Sequence, residues 1–473
     1  MHVVMFADQH LESLGGAQVS MRLQKRFLER AGHLVTVVAP RMHRPAPDDG
    51  AYLDLPSIAI TPDREYALTW PGARTDRFVD AELGARLPVD VVHVQGDFWG
   101  ALIGHRYAAR HGLPVVHTMH NRVDVGIEAT APFPTLVLRV LNAWARRALR
   151  GAEARRNAPI SQSSGGSLRD RRDSASFAAA PSPSEAPGEA AAAAGGAPGA
   201  GAVPAAAVGA ASAGAGAGAP APGAAATRTR SADGWAYLRR FARLSRAVTA
   251  PSGHFARRLE SHGVAPEAAG VDVIWNGIDD DILDSALAAG PVARHPGRPR
   301  FVWLGRMSPE KRLLPFLEAV AASGIDAEVE IIGGGAQLRA AQKLVAERRP
   351  AASVVFSGRL SYAETLARLS ASDAVVQTSI GFETQGMTVF EAASLGTPAV
   401  VSDPDIASEL GGGVWAVPDA STSALAETLR RAAADIASGT PVAVDATIAE
   451  RFRQSSRTAA MVGVYERAVS AGR

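Results

Sequence analysis

Residues 301–322 read Phe301-Val-Trp-Leu-Gly305-Arg306-Met-Ser-Pro309-Glu310-Lys311-Arg-Leu-Leu-Pro-Phe316-Leu-Glu-Ala-Val320-Ala-Ala322. Four apolar residues in a row, 301–304, suit a short strand covered on both faces, because alternation is lost when helices pack above and below a sheet. A glycine and two cations close the strand, and an apolar stretch at helical spacing follows over 313–322. Pro309 suits the first turn of that helix. Arg306 and Lys311, five apart at the C-terminal edge of a parallel strand, suit a diphosphate: Arg as a planar fork, Lys as a point charge. An ordinary exposed basic turn fits the same residues.

The same strand-then-helix unit recurs outward in both directions. Strands are expected at 2–6, 34–38, 91–94, 115–117, 247–249, 271–275, 301–304, 328–332, 353–356, 374–377 and 399–401. Helices are expected at 17–31, 313–322, 337–347, 362–370, 389–395 and 423–437. This alternation implies α/β architecture with doubly wound parallel sheets. A break follows Trp275-Asn276-Gly277-Ile278-Asp279, after which a second β/α series begins. Two Rossmann-like domains facing one cleft are therefore expected, with a final helix over 446–471 long enough to cross back. The expected division is 1–156 and 231–284 for the N-terminal domain, 285–454 for the C-terminal domain, and 455–473 for the returning helix.

Composition narrows the function. The 473 residues carry 49 Lys plus Arg against 47 Asp plus Glu, a net charge of +2, so bulk attraction to a polyanion such as nucleic acid is not expected. With no cysteine, disulfides, thiolate catalysis, iron–sulfur clusters and Cys-ligated zinc are excluded. Residues 157–230 begin Ser/Arg-rich and become an Ala/Gly/Pro run. Such a segment has too few large side chains to offset its ordering entropy and reads as a disordered insert. Pro198, Pro204, Pro220 and Pro222 interrupt any helix in its uncharged part, so it is not read as a membrane span. Met1 to Asp8 has no basic n-region and no long apolar run, so no secretory leader is expected.

Other stretches carry candidate chemistry, each with a plainer alternative. Gly15-Gly16-Ala17 opens the first helix, where backbone can approach an anion, or it is simply a turn. Gly381-Phe-Glu383-Thr-Gln-Gly386-Met387-Thr388-Val-Phe-Glu391 is the strongest local signal. One carboxylate lies in a glycine-bounded loop and a second about one turn inside the next helix, suited to phosphate and to sugar hydroxyls. A glycosidase-like acid and nucleophile pair would leave Arg306 and Lys311 unexplained. Gly333-Gly-Gly335 and Gly358-Arg359-Leu360 mark two further strand ends that either pack against a nucleotide base or turn the chain. In His117-Thr-Met-His120 the first histidine reads as structural and the second as meeting a ligand in the cleft. Arginines interleaved with aromatics over 136–156 and 235–246 suit either an anionic membrane surface or core-packed helices with a solvated basic face.

Taken in order, these residues resemble the family 4 glycosyltransferases of the GT-B fold. The likeness covers nearly all of the chain except the insert. It rests on Gly15-Gly16-Ala17-Gln18, Val273-Ile-Trp-Asn276-Gly277-Ile-Asp279, Gly305-Arg306…Glu310-Lys311, Gly333-Gly-Gly335 and Glu383-Thr-Gln-Gly386…Glu391. The resemblance implies retaining transfer from a UDP- or GDP-linked sugar, with no metal or other cofactor required. It implies that Arg306 and Lys311 stabilise the leaving diphosphate, Glu383 orients the donor sugar, Glu391 grips the ribose, and Gly16 lies under the phosphates. It places His120 near the donor sugar, and Gly333, Arg359, Leu360, Gly386, Met387 and Thr388 among the donor contacts. The Thr-Gln after Glu383, and the opening of the chain through Pro56-Ser57-Ile58, are similar to the branch that glycosylates diacylglycerol. That likeness implies a lipid acceptor and a cytoplasmic enzyme at the inner membrane face. A soluble cell-wall or small-molecule acceptor, and a silent sugar-nucleotide-binding scaffold, are the alternatives.

Overall fold

The computed structural model describes residues 1–13, 15–123, 127, 133–156, 233–267, 269–288 and 298–471. The expected insert at 157–230 lies outside the described residues. Two parallel sheets form two α/β units, as the strand–helix alternation predicts. The first sheet has the order β3-β2-β1-β6-β7-β8-β9. Its strands are β1 (His2–Phe6), β2 (Leu34–Pro40), β3 (Tyr52–Leu55), β6 (Val91–Val94), β7 (Val115–Thr118), β8 (Ala247–Ala250) and β9 (Asp272–Val273). A small antiparallel pair, β4 (Ile58–Ala59) and β5 (Ala67–Leu68), stands apart from it. The second sheet, β12-β11-β10-β13-β14-β15, is built from β10 (Arg300–Arg306), β11 (Glu328–Gly334), β12 (Ser353–Gly358), β13 (Ala374–Gln377), β14 (Ala399–Val401) and β15 (Val414–Ala416).

The continuous apolar runs are explained by cover on both faces. In β1, Val4 and Phe6 join the core formed with the helices Trp99–His111, Pro134–Arg156 and Gly234–Leu244, while Val3 and Met5 join Met461, Val464 and Tyr465 on the other face. In β10, Phe301 and Trp303 face one cluster and Val302 the other. Each such side chain taken fully out of water stabilises the fold by roughly 1.5–3 kcal/mol.

Four strands escape the sequence pattern. β3 lies at an edge and has an exposed Asp54, β4 and β5 are two residues each, and β15 is a three-residue edge strand.

The expected single final helix is instead two, Thr447–Phe452 and Gln454–Ser470, separated by Arg453 with ψ 136°. The cause is a pairing of the two connections between the units. The Ile278 amide donates to the Phe452 carbonyl at 2.8 Å, and the Gln454 amide donates to the Ile278 carbonyl at 2.8 Å. That parallel bridge takes hydrogen bonds a continuous helix would need.

In both sheets the strand order reverses once, between β1 and β6 and between β10 and β13. Ligands of open parallel sheets sit outside the strand C-termini at such reversals.

Candidate functional site

The second reversal gathers most of the residues singled out from the sequence. β10 ends on Arg306, and β13 runs into the loop that carries Glu383. Thr378 Oγ1 donates to the Lys311 carbonyl at 2.6 Å, which holds Lys311 beside this loop. The Lys311 ammonium then pairs with the Glu383 carboxylate, which also accepts from Ser379 Oγ at 2.8 Å. Arg306 is 39% exposed and turns to Glu310 at 2.9 Å. Two cations and two anions balance here, so an incoming diphosphate must take over these partners rather than meet free charge. Pro309 does not open the following helix. Pro309–Lys311 is a separate 3₁₀ turn, and Arg312 at φ 55° breaks it from the helix Leu313–Ser323.

Beyond Glu383 the helix Met387–Ser394 begins on Gly386, whose φ is 81°. A side chain at Gly386 would come within 2.7 Å of Ile406, so both conformation and space require glycine. No side chain caps this helix, and its first amides, at Met387 and Thr388, remain available to an anion. Glu391 lies in the helix, 6% exposed, accepting from Tyr362 Oη at 3.0 Å. Burial pushes its carboxyl up to about 7.

The Gly333 turn has a structural reason for its glycine. A Cβ there would stand 2.0 Å from the Gly305 carbonyl oxygen, so this position serves the close contact of β10 with β11. Arg359 lies over the same turn, its Nε 3.6 Å from where a Gly334 side chain would begin, and Leu360 is half-buried against the core.

The first unit meets this loop from the other side. The helix Gly16–Arg30 also starts without a side-chain cap, and nothing stands within 4 Å of a Cβ built on Gly16. Ser20 Oγ, one turn in, donates to Asn276 Oδ1 at 2.5 Å. Asn276 in turn exchanges two hydrogen bonds with the Gln385 side chain, at 2.9 and 3.1 Å. The two helix starts are thereby tied through one linker residue. His120 is buried with Nε2 3.0 Å from Gln95 Oε1, and burial lowers its imidazole to about 4, so it is neutral at pH 7. Two residues on, Arg122 donates to the Gly381 carbonyl at 2.8 Å and brings the His120 loop against the Glu383 loop. His117 is fully buried between His105 at 3.1 Å and the Gly96 carbonyl at 2.9 Å, a satisfied core histidine.

The arginine-bearing helices are core-packed. Tyr237, Leu238 and Phe241 of Gly234–Leu244 and Leu138, Leu141 and Leu149 of Pro134–Arg156 are buried. Tyr237 and Phe241 are therefore not what a membrane would meet, and Trp144 and Trp235 are partly buried against the same core. Between the two helices runs a cavity of about 660 Å³ lined by Arg146, Arg156, Arg239, Arg240 and Arg243 with two glutamates. Near the start of Pro134–Arg156, Trp70, Phe133 and Leu136 are exposed at 60%, 69% and 59%, with Trp70 against Trp144 at 5.1 Å between centroids. No helix among the described residues is long and apolar enough to cross a membrane.

Sequence reading missed Tyr362, Ser379 and Arg122. Tyr362 starts an expected helix and Arg122 sits beside His120, but neither position announces its partner. Asn276 and Gln385 lay inside the quoted motifs without any sign that they bond each other.

Comparison with known proteins agrees with this geometry. Residues 14–173 match the family model described as Glycosyltransferase Family 4, and residues 291–437 the model described as Glycosyl transferases group 1. An alpha-monoglucosyldiacylglycerol synthase of Streptococcus pneumoniae (strain ATCC BAA-255 / R6) is 26% identical over 128 residues, which span 26% of this chain and 27% of that protein. Among solved structures, sucrose-phosphate synthase from Thermosynechococcus elongatus superposes with a TM-score of 0.61 at 15% identity, covering 99% of each chain. HepE of Anabaena in complex with UDP-glucose gives 0.55 at 14% identity, covering 98% of this chain and 99% of that one. Both share the two-unit fold.

Proposed function

The chain belongs to the family 4 glycosyltransferases and has the GT-B fold, and from that premise we propose that it transfers a sugar from a nucleoside-diphosphate sugar, with retention, to a lipid acceptor at a membrane surface. The observation that carries the donor half is the Lys311–Glu383 pair at the leading end of the helix that buries Glu391. Arg306 and Lys311 would exchange their carboxylate partners for the diphosphate and meet the charge that grows on it as the glycosidic bond breaks. The uncapped amides behind Gly16 and Gly386 add partial positive charge from both units. Glu391 would accept from the ribose hydroxyls, with Arg359 and Leu360 beside the base and Gly333 shaping that wall. The UDP and UDP-glucose complexes of the Anabaena relative support a donor of this class.

Glu383 orients the sugar in this reading and does not attack it. Once Lys311 turns to the diphosphate, Glu383 keeps the Ser379 hydroxyl, and its freed acceptor positions suit the hydroxyls of the sugar. The bond from the anomeric carbon to the phosphate oxygen breaks, the acceptor oxygen bonds to that carbon on the same face, and its proton passes to the departing phosphate. Neutral His120 can serve the sugar as a hydrogen-bonding group and not as a cation. No metal takes part, since the cation pair supplies the charge.

The lipid half is supported by the diacylglycerol-glycosylating relative, by the exposed Trp70, Phe133 and Leu136, and by the arginine-lined cavity on the same helix. Co-sedimentation with vesicles tests it. Anionic vesicles should bring down the protein at low salt and progressively less at high salt, because surface attraction is screened. Incubation with UDP- and GDP-sugars and a lipid extract should yield a product heavier by one hexose. Binding to neither anionic nor neutral vesicles, with only water-soluble products, would replace the lipid by a soluble acceptor.

A further inference from the structure

The loop that carries Glu383 lies in the second unit but is largely suspended from the first. The helix Gly253–Ser261 of the first unit points its start at this loop. Ser252 Oγ donates to the Thr384 carbonyl, and His254 Nε2 lies 3.3 Å from the Glu383 carbonyl oxygen. Behind His254 stands Glu409, on the second unit's helix Pro404–Leu410. Glu409 accepts from the Gly253 amide at 2.5 Å, the His254 amide at 2.9 Å, His254 Nδ1 at 3.0 Å and Trp275 Nε1 at 2.8 Å. The side chains of His254 and Glu409 are 6% and 7% exposed, so water does not compete for these bonds. Burial by itself raises the Glu409 carboxyl, but the four donors outweigh it and hold the group down at about 2.

We propose that Glu409 and His254 are positioning residues for the transfer step: Glu409 clamps the first unit's helix and aims His254, which with a proton on each ring nitrogen donates to Glu409 and to the Glu383 carbonyl and so, with Ser252, fixes the backbone under Glu383. The loop needs such outside ties because Gly381 and Gly386 at its ends, with φ 65° and 81°, leave it conformationally free. Within the second unit the Gly381 amide bonds Asp403 at 2.7 Å and the Glu383 carboxylate is held by Lys311 and Ser379, contacts that leave the Glu383 and Thr384 carbonyls to the first unit. The backbone under Glu383 is thus fixed with the two units together, while Arg306 and Lys311 belong to the second unit. This rests on the reading of Glu383 as the carboxylate that orients the sugar.

The test measures donor turnover, UDP affinity and melting temperature on the full chain. H254A removes the arm to Glu383 and leaves the Gly253 and His254 amides on Glu409. Its kcat should fall ten- to a hundredfold, with UDP affinity within twofold and melting nearly unchanged. E409A should lower kcat at least as far and lower the melting temperature, and E409Q, which keeps an acceptor oxygen, should recover part of the kcat. Should E409A not fold, S252A and H254A decide. A kcat within twofold of wild type for H254A and S252A overturns the proposal, as does a loss of kcat matched by equal loss of UDP affinity. E383A measured alongside separates the two readings. If E383A turns over normally, the role of Glu383 fails; if E383A is inactive and H254A normal, the positioning role alone fails.

Discussion

The C-terminal edges of the two sheets both carry titratable side chains and use them in opposite ways. At the second sheet, Arg306 with Glu310 and Lys311 with Glu383 are partly exposed and paired in exchangeable contacts. At the first sheet, His93, Asp97, His117 and His120 are buried and Asp8 is half-buried, each held by neighbouring backbone or side chains. Asp8 accepts from the amides of Asp97, Phe98 and Gly100 and so caps the helix Trp99–His111. His93 bonds Thr118 at 2.7 Å and Tyr465 Oη at 2.7 Å. One edge is built to trade partners with a ligand; the other is a rigid floor, with His120 at its rim. Polar residues in sequence look alike in both, and only burial tells them apart.

The contrast breaks if the exchangeable edge proves dispensable. The double change R306A/K311A should cut donor turnover by at least about 10⁴, since a single preorganised charge-stabilising group typically accounts for 10²–10³. Its melting temperature should stay within a few degrees of wild type, because neither cation is buried in the core and exposed pairs contribute little to stability. Steady-state kinetics with saturating UDP-sugar checks it. Turnover within tenfold of wild type would remove the diphosphate reading.

The locked edge should answer in the opposite way, through stability and not through the donor. D8A leaves three buried amides without their acceptor, each worth about 1–3 kcal/mol unless water enters, so a loss of about 3 kcal/mol is expected. UDP affinity, carried mainly by Arg306, Lys311 and Glu391 of the second unit, should stay within twofold. The deficit should also depend on pH. Burial and then the nearby Asp97 push the Asp8 carboxyl up to about 7, above its ordinary 3.8. The native state thus holds this proton more tightly than the unfolded chain. Its contribution is fully present below about pH 4 and is lost as pH rises through about 7. Denaturant titrations at pH 5 and pH 8 should show D8A further below wild type at pH 5.

How much of this was legible beforehand follows the same division. Strands such as His2–Phe6, Val91–Val94, Ala374–Gln377 and Ala399–Val401 stand where the apolar runs place them, because both faces are covered and the run itself is the signal. The edge strand Tyr52–Leu55 and the two-residue pair Ile58–Ala59 and Ala67–Leu68 give no such run. Lys311 and Glu383 were legible because glycines and a strand end frame each of them. The clamp of Glu409 on His254, and Tyr362 on Glu391, join residues 155 and 29 positions apart on ordinary helices, where no local pattern records the meeting. Likewise the break at Arg453 depends on Ile278, a partner that helical periodicity over 446–471 cannot reveal.

Glu391 is the place where the two kinds of edge overlap, a buried group on the exchangeable side, and it gives the smallest and sharpest test. Its carboxyl is raised to about 7 by burial, so near neutrality it is divided between protonated and ionised forms. Ribose hydroxyls donate most strongly to the ionised form, and donor binding should therefore draw out its proton. The ionised fraction is about one tenth at one unit below the pKa and about nine tenths one unit above it. UDP-sugar affinity should accordingly be about tenfold weaker at pH 6 than at pH 8, read with an intact nucleotide-sugar because its esterified phosphates do not titrate in that range. E391Q should bind more weakly at pH 8 and show a flat profile from 6 to 8. If wild type is flat as well, Glu391 belongs with Asp8 and His117 as part of the scaffold, and the boundary between the two edges runs through the helix Met387–Ser394 instead of beside it.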